Sequence, residues 1–441
     1  MNSPTYSKTI LIVFLITAGL TARLALLWIS GRAPAGALSG GSDAPAYILL
    51  GNAISHGKGM AYVGQATALR APLYPLILGL LDLIFGSYSL LIMRIVQVFV
   101  AILTAWMCGQ AAVQLWGEDA KWVTFGLAMC IPTLLFFTPQ IQTEIFTALF
   151  VSLFLYFLVR PDREDEWKSI VGMGVCAGVL MLLRFNTIFV PLIGALAAFR
   201  MPFNMRHLKR ALIPVALAGM IVSPWIIRNM VVFHGALLYS SQTGTTAVQG
   251  ALAPQGRTQV GESAVRQLAE WRLAEWPSDI ETDNLSRLQF PSEAELDRQA
   301  RQAAIAAWKS LGFHAVPLLA KKVSDFWFST DQLLNTASFA RWQRLIRAIG
   351  VLLYWAILAG ALFGWFRLRR TAPRTAHLLL FYCVLATMLH LPSTMNTRLR
   401  APLVDPLLCI LAGEQISTLF GNKLSSGEVK KYAHLSAGVG A

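Results

Sequence analysis

The chain has 441 residues, of which 55% are hydrophobic and only 14% charged, and it carries a formal net charge of +14. Soluble domains carry about 25% charged residues, so a soluble fold is excluded and the whole chain, 1–441, reads as one integral membrane domain. The basic residues sit in short segments between apolar runs, as orientation in a bilayer requires, and this excludes nucleic acid as a partner.

Lys8 precedes a mostly apolar run that is too long for a signal-peptide core and lacks a convincing small-x-small cleavage site, so an uncleaved first span is expected over 9–29. A crossing takes about 20 apolar residues. On that basis further spans are expected over 89–113, 122–138, 143–159, 169–184, 187–200, 208–227, 347–366, 376–391 and 401–420. Threading them alternately puts "RMPFNMRHLKR" (200–210), "FRLRRTAPR" (366–374) and a tail over 421–441 with Lys430 and Lys431 on one side, together with both termini. The positive-inside rule makes that side the cytoplasm, and the expected location is the plasma (inner) membrane.

The loops 30–88 and 228–346 then face outside. The first contains "PAYILLGNAISHG" and "APLYPLILGLLDLIFG", whose length and mixed character suit amphipathic helices lying in the membrane interface. The second opens on "YSSQTGTTAVQGALAPQG" and turns into a charged helical pattern, "SEAELDRQARQAAIAAWKSLGFHAVPLLAKKVSDFW", with Ser292 placed to cap a helix three residues before Glu295. The expected fold class is therefore an all-α polytopic membrane protein of about ten spans, with interfacial helices in the first external loop and a partly helical long external loop. Cys108, Cys130, Cys176, Cys383 and Cys409 lie in apolar runs without CxxC spacing, and the histidines lack ligand spacing, so neither a disulfide framework nor a dedicated metal site is expected.

A charge near hydrocarbon costs about 2.5–3.5 kcal/mol on insertion scales and by default marks function. In this threading Asp43, Arg70, Glu144, Arg184, Arg228, Arg398 and Arg400 gather at the external ends of spans, and Arg23 lies in the outer half of the first. Arginines are disfavoured on that side, so their concentration there points to an anionic ligand. Each residue also has a plainer explanation. Asp43 before "APAY" is a good helix N-cap, Glu144 suits the headgroup layer at a helix start, and a single arginine can snorkel to lipid phosphate.

The ordered set "SDAPAYILLGNAISHGKG", "RAPLYPLILGLL", "PQIQTEIFTALF", "LLRFNTIFVP", "SPWIIRN" and "TRLRAPLVDPLLCILAG" resembles the GT-C membrane glycosyltransferases that use polyprenyl-phosphate sugars, a group including protein mannosyltransferases and the lipid A aminoarabinose transferase. The resemblance covers nearly the whole chain to about Gly413. It implies transfer of a sugar from a polyprenyl-phosphate donor to an envelope glycolipid, glycan or protein at the external face, with inversion. The family's catalytic base falls on Asp43 and its second acidic position on Glu144. Arg228, Arg398, Arg400 and Arg184 become candidates for the donor phosphate, and Tyr47, His56, Arg70 and Tyr74 for the substrate cavity.

The paired acidic form of the family is missing, since Asp43 is flanked by Ser42 and Ala44, so no cofactor is expected and a divalent metal is left open. Relatives often carry a large external domain after the last span, whereas this chain ends soon after it, which argues against a protein acceptor recognised by such a domain. Two other readings compete. A transporter or flippase of a lipid-linked sugar would also be basic and polytopic, but it would place its charges near the midplane, and a non-catalytic sugar-lipid binding protein would tolerate loss of Asp43.

Overall fold

A computed structural model describes residues 4–32, 43–62, 65–160, 166–199, 204–252, 293–329, 341–393, 395 and 397–420. It contains sixteen α-helices among these residues: α1 (Pro4–Arg32), α2 (Ala44–Ser55), α3 (Leu73–Phe85), α4 (Ser89–Trp116), α5 (Glu118–Cys130), α6 (Pro132–Phe137), α7 (Glu144–Val159), α8 (Glu166–Leu183), α9 (Val190–Ala198), α10 (Met205–Val232), α11 (Thr243–Leu252), α12 (Glu293–Leu311), α13 (Ala315–Phe328), α14 (Arg341–Thr371), α15 (Pro373–His390) and α16 (Thr397–Phe420). Among the described residues the only strands form a two-residue antiparallel ladder pairing Ala61 with Ala66 and Tyr62 with Gln65. The proposed cap at Ser292 and the tail 421–441 lie outside the described residues.

Local chemistry sets several boundaries. Gly117, at φ +89°, turns the chain between α4 and α5, a conformation open to glycine and costly for other residues. Ile131 is extended (φ −58°, ψ 121°) because Pro132 follows it, so one apolar run becomes α5 and α6 rather than a single span. Asn204 caps α10 by accepting from the His207 amide at 2.8 Å.

Helices 8–29, 73–116, 166–183, 205–232, 293–328 and 347–371 are long and apolar enough to cross a membrane. Beside these six stretches, the apolar helices 144–159 and 185–198 are shorter, and α16 differs from all of them in its surroundings. That helix is almost wholly buried from Arg400 to Glu414, its neighbours are protein rather than lipid, and it therefore tolerates Asp405 and Glu414. Leu403, Val404, Leu407, Leu408 and Ile410 form the centre of the main apolar core, the Tyr382 hydroxyl donates to the Leu403 carbonyl at 2.9 Å, and Trp116 Nε1 donates to the Ile410 carbonyl at 2.9 Å. One of the six stretches, 293–328, falls in the segment read from sequence as a loop.

Ion pairs tie the basic end of the bundle together. Lys8 meets Asp119 at 3.3 Å, Arg210 meets Glu166, and Arg367 meets Glu414 at 2.7 Å. Arg374 donates to the Ala197 carbonyl at 2.9 Å, joining the start of α15 to the end of α9. At the opposite end converge the C-termini of α1, α8 and α10 and the N-termini of α7 and α16. The two amphipathic helices pack there. α2 and α3 cross at Gly51 and Gly79 so closely that a Cβ at residue 79 would stand 2.8 Å from the Gly51 carbonyl oxygen. Ala44, Tyr47, Tyr74, Leu78, Met93, Ile141, Phe146 and Leu183 make a separate apolar cluster that seats α2 and α3 on α4, α7 and α8.

Candidate active site

Asp43 occupies the N-cap position of α2, where its backbone carbonyl accepts from the Tyr47 amide at 3.1 Å, but its side chain makes no capping bond. The carboxylate turns to two guanidinium groups instead: Arg70 Nη2 donates to Oδ1 at 2.7 Å and Arg398 Nη2 lies 2.7 Å from Oδ2. The capping explanation of Asp43 thus fails for the side chain and holds only for the backbone. Arg398 forks, and its Nε donates to Glu144 Oε1 at 2.5 Å, while Arg184 Nη1 approaches the same oxygen at 3.4 Å. Glu144 has 0% side-chain exposure, so it does not sit in the headgroup layer as a solvated helix-start charge. Two carboxylates and three guanidinium groups, from five separate segments, form one connected cluster of net charge +1.

Burial by itself would raise the Asp43 carboxyl, but the positive charges of Arg70 and then Arg398 outweigh it and hold the group well below the usual carboxylate range. The supporting ring stack is built on the amphipathic helices. The Arg70 guanidinium lies 5.8 Å from the Tyr47 ring centre, Tyr47 packs edge-on to Tyr74 at 5.0 Å, and Tyr74 packs edge-on to Phe146 at 5.8 Å. The Tyr74 hydroxyl donates to Gln97 Oε1 at 2.7 Å, and Gln97 Nε2 donates to the carbonyls of Thr138 and Gln140, both at 2.7 Å, which pins the α6–α7 connection carrying Glu144. Tyr74 therefore supports the cluster from below.

Three of the other sequence candidates lie elsewhere. Arg400 is fully buried; it donates to Asp405 at 3.0 Å and to the Phe326 and Trp327 carbonyls at 3.2 Å, and it stacks 4.2 Å from the Tyr354 ring centre, binding α16 to the end of α13. Arg228 donates to the Thr67 and Met60 carbonyls at 2.9 Å and lies over Trp225 and Phe233. Arg228 and, through Nε and Nη1, Arg400 donate to backbone and neighbouring side chains rather than to Asp43. His56 closes the end of α2, with Nδ1 2.8 Å from the Asn52 carbonyl, and is exposed.

Around the cluster, buried polar atoms have no hydrogen-bond partner: Arg70 Nε, Gln142 Oε1, Glu144 Oε2, Arg184 Nη1 and Asn186 Oδ1. A buried polar atom without a partner costs about 1–3 kcal/mol, so a polar ligand that reached these atoms would gain their hydrogen bonds; among the described residues six further such atoms lie elsewhere, on Arg23, Thr124, Trp308, Arg400 and Gln415. Those around the cluster include both donors and acceptors, which suits a ligand that carries hydroxyls beside an anion. The Asn186 amide meets His390 Nε2 at 2.6 Å, extending the polar wall to the end of α15. Sequence reading missed Gln97 and Gln142 as parts of this site, although a lone glutamine in the apolar run "RIVQVF" is a detectable signal for the first.

The fold is similar to that of a solved archaeal oligosaccharyltransferase, and part of the chain matches a mannosyltransferase family model. Residues 69–227 match the family described as dolichyl-phosphate-mannose-protein mannosyltransferase. The archaeal oligosaccharyltransferase AglB from Archaeoglobus fulgidus, solved with an inhibitory peptide and a dolichol-phosphate, superposes with a TM-score of 0.55 at 16% identity, over 99% of this chain and 52% of its own. The same enzyme tethered to an acceptor peptide containing the NVT sequon gives 0.54 at 14% identity, over 98% and 53%. ArnT from Cupriavidus metallidurans bound to undecaprenyl phosphate gives 0.40 at 15% identity, over 92% and 77%. The chain spans about half the length of the archaeal enzymes. No functionally curated protein matches it in sequence.

One structure of the archaeal enzyme contains zinc and sulfate. Among the described residues here, no group of three or more His, Cys, Asp or Glu side chains is placed to hold a metal. Both carboxylates of the cluster are paired with arginines in this structure.

Proposed function

We propose that this protein is a membrane glycosyltransferase that moves a sugar from a polyprenyl-phosphate donor to a hydroxyl or amine of an acceptor, at the external face of the plasma membrane. The observation that carries this reading is the cluster itself: a carboxylate in a loop beside the membrane, held by arginines that an anionic phosphate would also attract. Asp43 accepts the acceptor proton while the acceptor oxygen or nitrogen bonds to the anomeric carbon. The bond from that carbon to the phosphate oxygen breaks, and the electron pair leaves on the polyprenyl phosphate. Attack on the face opposite the leaving phosphate inverts the anomeric centre.

With Arg70 and Arg398 both on Asp43, the resting carboxylate is a weak base. A donor phosphate entering the cluster competes for these guanidinium groups, as charge-assisted pairing with phosphate is at least as favourable. Drawing them away raises the proton affinity of Asp43 when donor is bound. Glu144 keeps a share of Arg398 and Arg184 and fixes their approach to the phosphate. Arg398, Arg184 and Arg70 are the phosphate ligands in this scheme, and Arg228 and Arg400 hold the scaffold.

The test is release of polyprenyl phosphate from a panel of polyprenyl-phosphate sugars by the purified protein with crude envelope lipid as acceptor, wild type against Asp43→Asn. Release by wild type alone supports the reading and identifies the donor. Movement of the lipid across proteoliposomes without release would establish a transporter instead.

A further inference from the structure

The first loop reaches the cluster through a short stretch, Thr67 to Ala71, every residue of which is buried. Its peptide groups are held from outside. Arg228 takes the Thr67 carbonyl at 2.9 Å, and the Ser241 amide donates to the Ala68 carbonyl at 3.4 Å. The Thr67 amide donates to the Met60 carbonyl at 3.0 Å, and further contacts come from Glu293, the first residue of α12, which is 226 positions away from Thr67. Its Oε1 accepts from Thr67 Oγ1 and from the Ala68 amide, each at 3.0 Å, and from the Ser241 hydroxyl. Thr67 Oγ1 in turn accepts from the Leu69 amide at 3.0 Å, so the chain is fixed up to the residue before Arg70.

A glutamate in the first turn of a helix ordinarily needs nothing beyond solvent and the helix dipole. This one instead reaches out of its helix to collect three donors. α12 is itself anchored, because Asp297 accepts from the Gly244 amide at 2.9 Å, which ties α12 to α11, while Arg301 of the same helix pairs with its other oxygen.

We infer that Glu293 is a positioning residue for the Asp43–Arg70 pair, and that α12 braces the first loop so that Arg70 is presented to Asp43. The inference rests on the proposed transferase reading for its consequence in catalysis, but its geometry is testable without any substrate. It makes the folding of the second loop a condition for an ordered site.

The test uses the purified full-length chain in detergent and maps phenylglyoxal labelling of arginines by mass spectrometry in wild type, Glu293→Ala and Glu293→Gln. Arg70 has 8% side-chain exposure and should be protected in wild type; Arg23, fully buried against the Met129 carbonyl, serves as the control for the fold. The expected result is a several-fold rise in Arg70 labelling in Glu293→Ala with Arg23 unchanged. Glu293→Gln, which keeps an acceptor oxygen for Thr67 and Ala68, should be intermediate. With a donor in hand, Glu293→Ala should lower kcat while thermal unfolding stays near wild type, and Glu293→Gln should recover part of it. Unchanged Arg70 labelling in Glu293→Ala overturns the inference, whatever becomes of the transferase reading. So does a rise shared by Arg23, which would mean general loosening, or a rise at Arg70 alone with kcat intact.

Discussion

Replacing Arg398 by alanine removes the residue that joins the two carboxylates. Breaking a buried ion pair by deleting one partner costs about 3–5 kcal/mol, because the other charge is left buried without compensation. Here each carboxylate keeps a second arginine: Glu144 retains Arg184 at 3.4 Å, and Asp43 retains Arg70 at 2.7 Å. Asp43 is also 31% exposed at the side chain, so its share is screened by solvent. The expected loss for Arg398→Ala is therefore about 2–3 kcal/mol, borne mainly by Glu144. Because Arg398 and Glu144 touch, the double variant Arg398→Ala/Glu144→Gln should lose less than the sum of the single variants, by about 1 kcal/mol or more. Reversible unfolding in mixed micelles measures both quantities. An Arg398→Ala protein as stable as wild type, or strict additivity in the double variant, would refute the shared-arginine cluster. Arg398→Lys tests the geometry further, since an ammonium cannot reach both acids with the planar fork of a guanidinium.

Asp43→Asn should reduce sugar transfer by about 10²- to 10⁴-fold while the protein still binds polyprenyl phosphate; equal transfer by the variant ends the base assignment. The folded Asp43 carboxyl is depressed below its unfolded value. Its contribution to stability is thus fully present above the unfolded value, about pH 3.9, and is lost only as pH falls through the still lower folded value. The stability difference between wild type and Asp43→Asn should accordingly stay flat from pH 8 to pH 5, and a slope in that window by urea titration would contradict the pairing. Arg400→Ala should cost about 3–5 kcal/mol and lower folded yield, because it strands the buried Asp405; expression at wild-type levels with unchanged thermal unfolding would contradict this. Arg228→Ala should speed hydrogen exchange in residues 60–71 through loss of the Met60 and Thr67 carbonyl contacts, and protection equal to wild type would show that the clamp is dispensable.

The membrane class, the helical content and most helix positions follow from the sequence alone, because apolar length and breaker residues are local properties that bundle packing does not reverse. Asp43, Glu144, Arg70, Arg184 and Arg398 are also legible there, since charge at a span end is costly wherever the span packs. Which of the arginines meet, however, depends on tertiary geometry. Arg398 and Arg400 are two residues apart on α16, about 200° around a helix of 3.6 residues per turn, so one faces the carboxylates and the other faces Asp405 and the end of α13. No sequence pattern separates them without knowing which face of α16 looks toward α2. Hydropathy likewise does not show which apolar helix is surrounded by protein, as α16 is from Arg400 to Glu414. Glu293 is the extreme case. In sequence it is one of several acids in a charged helix, and only the fold brings it to Thr67, because a contact between residues 226 apart leaves no periodic trace in either segment.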